Sequence, residues 1–200
     1  MTSGPASQAH DSDHGHGHGH GHGHGHGHGH GHAEDSAGCA AAHGDVVLDQ
    51  GVRRLVLVFA SPVATELAEL GRRLGFHVDV LDPDPARPAM ARTVTELTLD
   101  HRTDVVLCDH GRPELGDVLA EVLAGSTRWV GVMGSARHTA PHVEALRNRG
   151  FAEADIARVH RPIGLDIGSH TPAEIAVSTA AGLLADRNGR SGGTFDAQGT

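Results

Sequence analysis

The sequence predicts an α/β protein with a doubly wound, mostly parallel sheet, preceded by a histidine- and glycine-rich tail. Three observations carry this. Arg54-Leu-Val-Leu-Val-Phe-Ala60 is a near-continuous apolar run, as a parallel strand covered on both faces requires. Downstream, short apolar runs alternate with stripes of helical period, the pattern of right-handed βαβ units. From Met1 to about Asp49 there is no apolar periodicity at all. Residues 1–49 therefore read as a disordered tail, 50–190 as one domain and 191–200 as a second disordered tail.

The elements follow in order. After the first strand, Ser61-Pro62 starts a helix. Its apolar stripe is Val63, Leu67, Leu70 and Leu74, and Gly75 terminates it. His77 to Leu81 is a second strand, followed by the turn-rich Asp82-Pro-Asp-Pro-Ala-Arg-Pro88. A short strand is expected near Val94 to Leu99, and another from Asp104 to Cys108. Leu115, Val118, Leu119, Val122 and Leu123 mark a helix, and Arg128 to Met133 a further strand. Helices follow from about Arg137 to Asn148 and from about Glu153 to Val159. The last helix runs from Pro172 to about Arg187, with Ile175, Ala176, Thr179, Ala180, Leu183 and Leu184 inward. Its start is strongly marked. Thr171 is a good N-cap, Pro172 fits the first helical position, and Glu174 completes a capping box. With four Phe, one Trp and no Tyr, the core rests on Leu, Val, Ile and Ala.

Composition narrows the function. A net charge of −9 argues against non-specific nucleic-acid binding, which needs a basic face. All sixteen basic residues are arginine, which excludes a lysine nucleophile or Schiff base. Cys39 and Cys108 make no disulfide scaffold. No signal peptide is visible and no apolar segment approaches the length of a membrane span, so a cytoplasmic protein is the default.

Ligands of open α/β sheets bind outside the carboxyl ends of the strands, so the loops there are the candidates. Gly134-Ser135-Ala136-Arg137 reads as a glycine turn opening a helix, with free amides for an anion, Ser135 to donate and Arg137 to clamp. The alternative is a plain N-cap serine and a solvated arginine. Gly164 and Gly168 bracket Leu165-Asp166-Ile167. Asp166 there orients a histidine, binds a polar ligand edge, or ties up loop amides. Asp82 stands where a ribose-binding acid of a dinucleotide fold would stand, and reads equally as a turn aspartate before Pro83. Cys108 reads as a ligand to a soft metal or as a small core residue. His160, Asp166 and His170 lack the spacing of a zinc site on a helix, and no nucleophile elbow supports a hydrolase.

In the tail, His14, His16, His18, His20, His22, His24, His26, His28, His30 and His32 alternate with glycine. Imidazoles on so free a backbone converge on divalent nickel, zinc, copper or cobalt, more weakly below about pH 6.5 as they protonate. The tract reads equally as a low-complexity expansion with incidental metal affinity.

Two stretches carry a resemblance. His160 to Ser178 reads H-R-P-I-G-L-D-I-G-S-H-T-P-A-E-I-A-V-S, and Trp129 to Arg137 reads W-V-G-V-M-G-S-A-R. Both closely resemble signatures of the XdhC/CoxI family of xanthine dehydrogenase accessory proteins. The resemblance covers roughly Arg53 to Arg190 and implies the family's Rossmann-like C-terminal domain. It further implies maturation of molybdenum hydroxylases: receiving the molybdenum cofactor, protecting it and passing it to the apoenzyme, without turnover. His160 and Asp166 match family positions. The pterin's phosphate would sit at the Gly134–Arg137 turn, and the Gly164–Gly168 loop would meet polar edges of the ligand. Longer members carry an N-terminal domain with no counterpart here, so a separate protein supplying it is an expected partner; a homodimer stays open. Where the family shows G-A-G-H-V-A after the first strand, this chain has Phe59-Ala-Ser-Pro-Val-Ala64. Lost glycines and an amide removed by Pro62 argue against dinucleotide binding in the ordinary pose. The rival readings are an NAD(P)-dependent oxidoreductase and a metal-handling protein acting through the tail.

Overall fold

The computed structural model describes residues 52–135 and 140–193. The histidine tract, Cys39, Arg137 and the C-terminal segment from 194 lie outside them.

Five strands form one parallel sheet: β1 (Arg53–Val58), β2 (Phe76–Leu81), β3 (Thr103–Leu107), β4 (Trp129–Val132) and β5 (Val159–His160). Their order is β2-β1-β3-β4-β5. The chain thus winds one way from β1 to β2 and the other way from β3 onward, and the reversal opens a crevice at the carboxyl ends of β1 and β3. Alternation along β1 divides the core. Leu55 and Leu57 face one side, Val56 and Val58 the other, and all four are buried. On the first face lie α1 (Pro62–Arg73) and α5 (Pro172–Arg187), packed on each other through Ala64, Leu67, Ala68, Ala176, Ala180 and Leu183. On the second lie α2 (Leu115–Ala124), α3 (Pro141–Arg147) and α4 (Glu153–Ile156), with Leu119, Leu146 and Ile156 inward. The doubly wound parallel sheet expected from the sequence is the fold observed. Among the described residues no helix is long and apolar enough to cross a membrane.

The helix starts follow the side-chain chemistry. Ser61 Oγ accepts from Ala64 N at 3.1 Å, and Pro62 takes the first helical position of α1. At α5, Thr171 Oγ1 accepts from Glu174 N at 3.2 Å while the Glu174 carboxylate accepts from Thr171 N at 3.1 Å, the reciprocal pair of a capping box. The same carboxylate accepts from His170 N at 2.7 Å. The two backbone amides hold its pKa below the ordinary carboxylate range.

Three elements differ from the sequence reading. The strand expected over Val94–Leu99 is a 3₁₀ turn at Val94–Glu96, because the Glu96 carboxylate turns back to accept from Arg92 N and Thr93 Oγ1. The helix expected to Val159 stops at Ile156, and Val159–His160 pairs with Val130 and Gly131 as the edge strand β5. The helix expected from Arg137 begins at Pro141, so Gly134 and Ser135 stand outside its first turn.

At the amino end of the sheet, Asp104 is wholly buried between Arg128 Nε (2.5 Å) and Arg187 Nε (2.7 Å). This network ties the last helix to β3 and β4, away from the candidate site.

Candidate functional site

The carboxyl ends of β3 and β4 open on a cleft of about 740 Å3. Cys108 and His110 line it from the segment after β3, and Met133, Gly134 and Ser135 from the segment after β4. The loop from Pro162 to His170 forms the facing wall, with Val63 of α1 and Ile175, Ser178 and Thr179 of α5 behind. The two loops singled out in the sequence thus meet across one cavity, with Gly134 and Ser135 opposite Gly164, Asp166 and Gly168. Arg137 lies outside the described residues.

The facing loop is held by α5. Ser178 Oγ donates to Leu165 O at 2.5 Å, and Leu165 N donates to Ser178 O at 3.1 Å. The serine that ends the sequence signature is therefore a clamp on its middle. Gly164, at φ +86°, lies against the helix. A β-carbon there would stand 2.5 Å from Ser178 Oγ and 3.0 Å from helix backbone, and one on Gly182 would stand 2.8 Å from Gly164 Cα. The Arg161–Pro162 bond entering the loop is cis. Arg161 Nη2 reaches Ser135 O at 3.4 Å, linking the two walls.

Asp166 is exposed, and no described donor reaches its carboxylate. Of the three roles open to it, tying up loop amides is not the one observed among the described residues. His160 lies apart from the cleft lining, on β5, its ring stacked on Trp129 with centroids 5.1 Å apart. Burial, aided by the charge of Asp109, pushes the Cys108 thiol far above its ordinary range. Its Sγ donates to Val106 O at 3.7 Å, and Cys108 stands as a small buried residue of the wall. Among the described residues no cluster of three histidine, cysteine or carboxylate groups has metal-binding geometry.

Asp82 stands in the neighbouring crevice, fully buried. Its carboxylate accepts from Ala60 N (2.8 Å), Asp84 N (2.9 Å) and both terminal nitrogens of Arg112 (3.2 and 3.3 Å). Burial alone would raise its pKa, but the Asp84 amide, the Arg112 guanidinium and the Ala60 amide together hold it below the ordinary carboxylate range. Arg112 also lies over the Phe59 ring, 4.9 Å from its centroid. Phe59 has φ +69°, the left-handed conformation that a glycine would adopt freely. Its ring is completely buried. Both carboxylate oxygens of Asp82 are engaged by protein donors, and the Phe59 ring beside them is packed in the core. Asp82 is thus a structural anchor in this chain. Sequence reasoning missed Arg112 because its partner lies thirty residues away, without any local signal.

A second residue escaped the sequence reading. His142, in the first turn of α3, is 4 % exposed and its Nδ1 has no hydrogen-bond partner among the described residues. Burial, reinforced by the charge of Arg161, lowers its pKa.

The family model of the XdhC Rossmann domain matches residues 55–183. A curated relative, the uncharacterized protein YqeB of Escherichia coli (strain K12), is 31% identical over 169 residues, 78% of this chain and 31% of the relative. The chain therefore spans about a third of the length of that relative. A solved structure described as a xanthine dehydrogenase from Bacillus halodurans superposes with a TM-score of 0.59 at 21% identity, over 70% of this chain and 46% of that one. At that identity the likeness is one of fold.

Proposed function

The chain belongs to the XdhC Rossmann domain family, and on that premise we propose that it serves the maturation of a molybdenum hydroxylase by binding the molybdenum cofactor and passing it to the apoenzyme. The observation that carries this reading is the convergence of the Gly134–Ser135 turn and the Gly164–Gly168 loop on one cleft large enough for a pterin-sized ligand. The lining fits such a cargo. Val63, Ile163, Leu165 and Ile175 offer apolar surface to a flat ring, while Ser135, Ser169, His110, His170 and Asp166 offer polar groups to its edges. The role proposed is binding and transfer of this cargo. A nicotinamide-dependent oxidoreductase is disfavoured by the filled crevice at Phe59, Asp82 and Arg112.

The test is the pterin and molybdenum content of the full chain, purified anaerobically from a host that makes the cofactor. Stoichiometric pterin and molybdenum, both released to an added apo molybdenum hydroxylase, is the expected result. A folded protein with neither overturns the reading.

A further inference from the structure

Among the described residues lining the cleft, Asp166 is the one carboxylate, and none of them is an arginine. The Glu174 carboxylate close by in sequence is consumed by the amides of His170 and Thr171. That of Asp166 receives no described donor, although the loop carrying it is fixed on both sides by the Leu165–Ser178 bonds and by Ile167 N donating to Leu165 O at 3.0 Å. A carboxylate is an acceptor only, with two parallel oxygens. Held on a fixed loop beside apolar walls, it recognises a planar edge that presents two adjacent N–H groups, because paired charge-assisted bonds add direction as well as strength. An oxygen-only edge would face it with like charge.

From this geometry we infer that Asp166 reads the ring edge of the cleft's ligand, accepting from the ring N–H and exocyclic amino group of a 2-amino-4-oxopyrimidine such as a pterin carries. The inference rests on the pterin-binding reading of the cleft and deepens it by naming the edge that is bound. It also assigns the aminopyrimidine end of the ligand to the Leu165–Ile167 wall, leaving its other end toward Gly134 and Ser135.

The test uses two free probes on the full chain: pterin, and lumazine, in which a carbonyl replaces the 2-amino group. Titration followed by probe fluorescence gives both affinities. A site built on such a bond rejects the analogue that lacks it, so pterin is expected to bind at least about tenfold more tightly. Asp166→Asn, a change at an exposed side chain with no described partner, should bring the two affinities together. Equal affinities in the native protein, a preference that survives in Asp166→Asn, or binding of neither probe each overturns the inference. The two readings fail separately. A chain that carries and releases the cofactor while Asp166→Asn carries as much leaves delivery standing and removes this role of Asp166. A chain isolated without cofactor that still distinguishes the probes through Asp166 does the reverse.

Discussion

Arg112 crosses the ring of Phe59 to grip Asp82 through both of its terminal nitrogens, at 3.2 and 3.3 Å. Phe59 follows β1, Asp82 follows β2 and Arg112 lies beyond β3, so one side chain spans the whole switch point of the sheet. The crevice where an α/β sheet of this topology ordinarily receives its ligand is filled by the protein's own groups, and the open cleft lies one strand over, toward β4.

Breaking this pair leaves the fully buried Asp82 without its counter-ion. Arg112→Ala should cost about 3 kcal/mol, measured by urea unfolding. The pH dependence has a definite sign. Asp82 is more acidic folded than unfolded, so its stabilisation is present above the unfolded value of about 4 and is lost as pH falls through the lower folded value. The fall of stability with acid should be shallower in Arg112→Ala than in the native chain.

Phe59→Gly sets two effects against each other. Relief of the left-handed conformation returns about 1 kcal/mol, whereas deleting a completely buried ring costs about 3–5 kcal/mol. Burial wins, and the variant should unfold at lower denaturant concentration. A rise in its unfolding midpoint would contradict this weighing.

The glycines of the site loop should respond unequally. Gly164→Ala drives a methyl against Ser178 and the backbone of α5, whereas the space around Gly168 is empty. At Gly168 only the positive φ is penalised, about 1–2 kcal/mol. Gly164→Ala should cost more by denaturation and release the loop, seen as faster hydrogen exchange at Leu165 N.

His142 supplies a second pH signature. Its pKa is depressed in the folded protein, so below about pH 6.5 the unfolded chain takes up a proton that the folded one refuses. Stability therefore falls as pH drops from that value towards the folded pKa. His142→Leu should flatten this part of the stability profile, read from unfolding midpoints across it.

Cys108 should resist chemistry that a ligand thiolate would undergo. With its thiol buried and its ionisation suppressed, alkylation at mildly alkaline pH should spare it in the native chain and reach it after denaturation. Mass analysis of the peptide containing Cys108 decides the matter, and rapid native labelling would restore a reactive role.

What the sequence determined by itself was local. The apolar run of β1, the stripe of α1 and the Thr171–Glu174 box are each specified within a few residues, and each stands where its pattern places it. The glycine-bracketed loop was legible for the same reason, because positive φ at Gly164 and Gly168 leaves its mark on residue type. The boundaries that went astray, at Val94, Val159 and Arg137, lie in short segments where one side-chain bond or one strand pairing outweighs propensity. Only the tertiary structure decided that Arg112 would neutralise Asp82, that Ser178 would clamp Leu165, and that Asp166 would be left without a described partner beside the cleft. Those outcomes depend on strand order and on helix α5 returning over the loop, and hydrophobic periodicity carries no record of which distant segment a chain will meet.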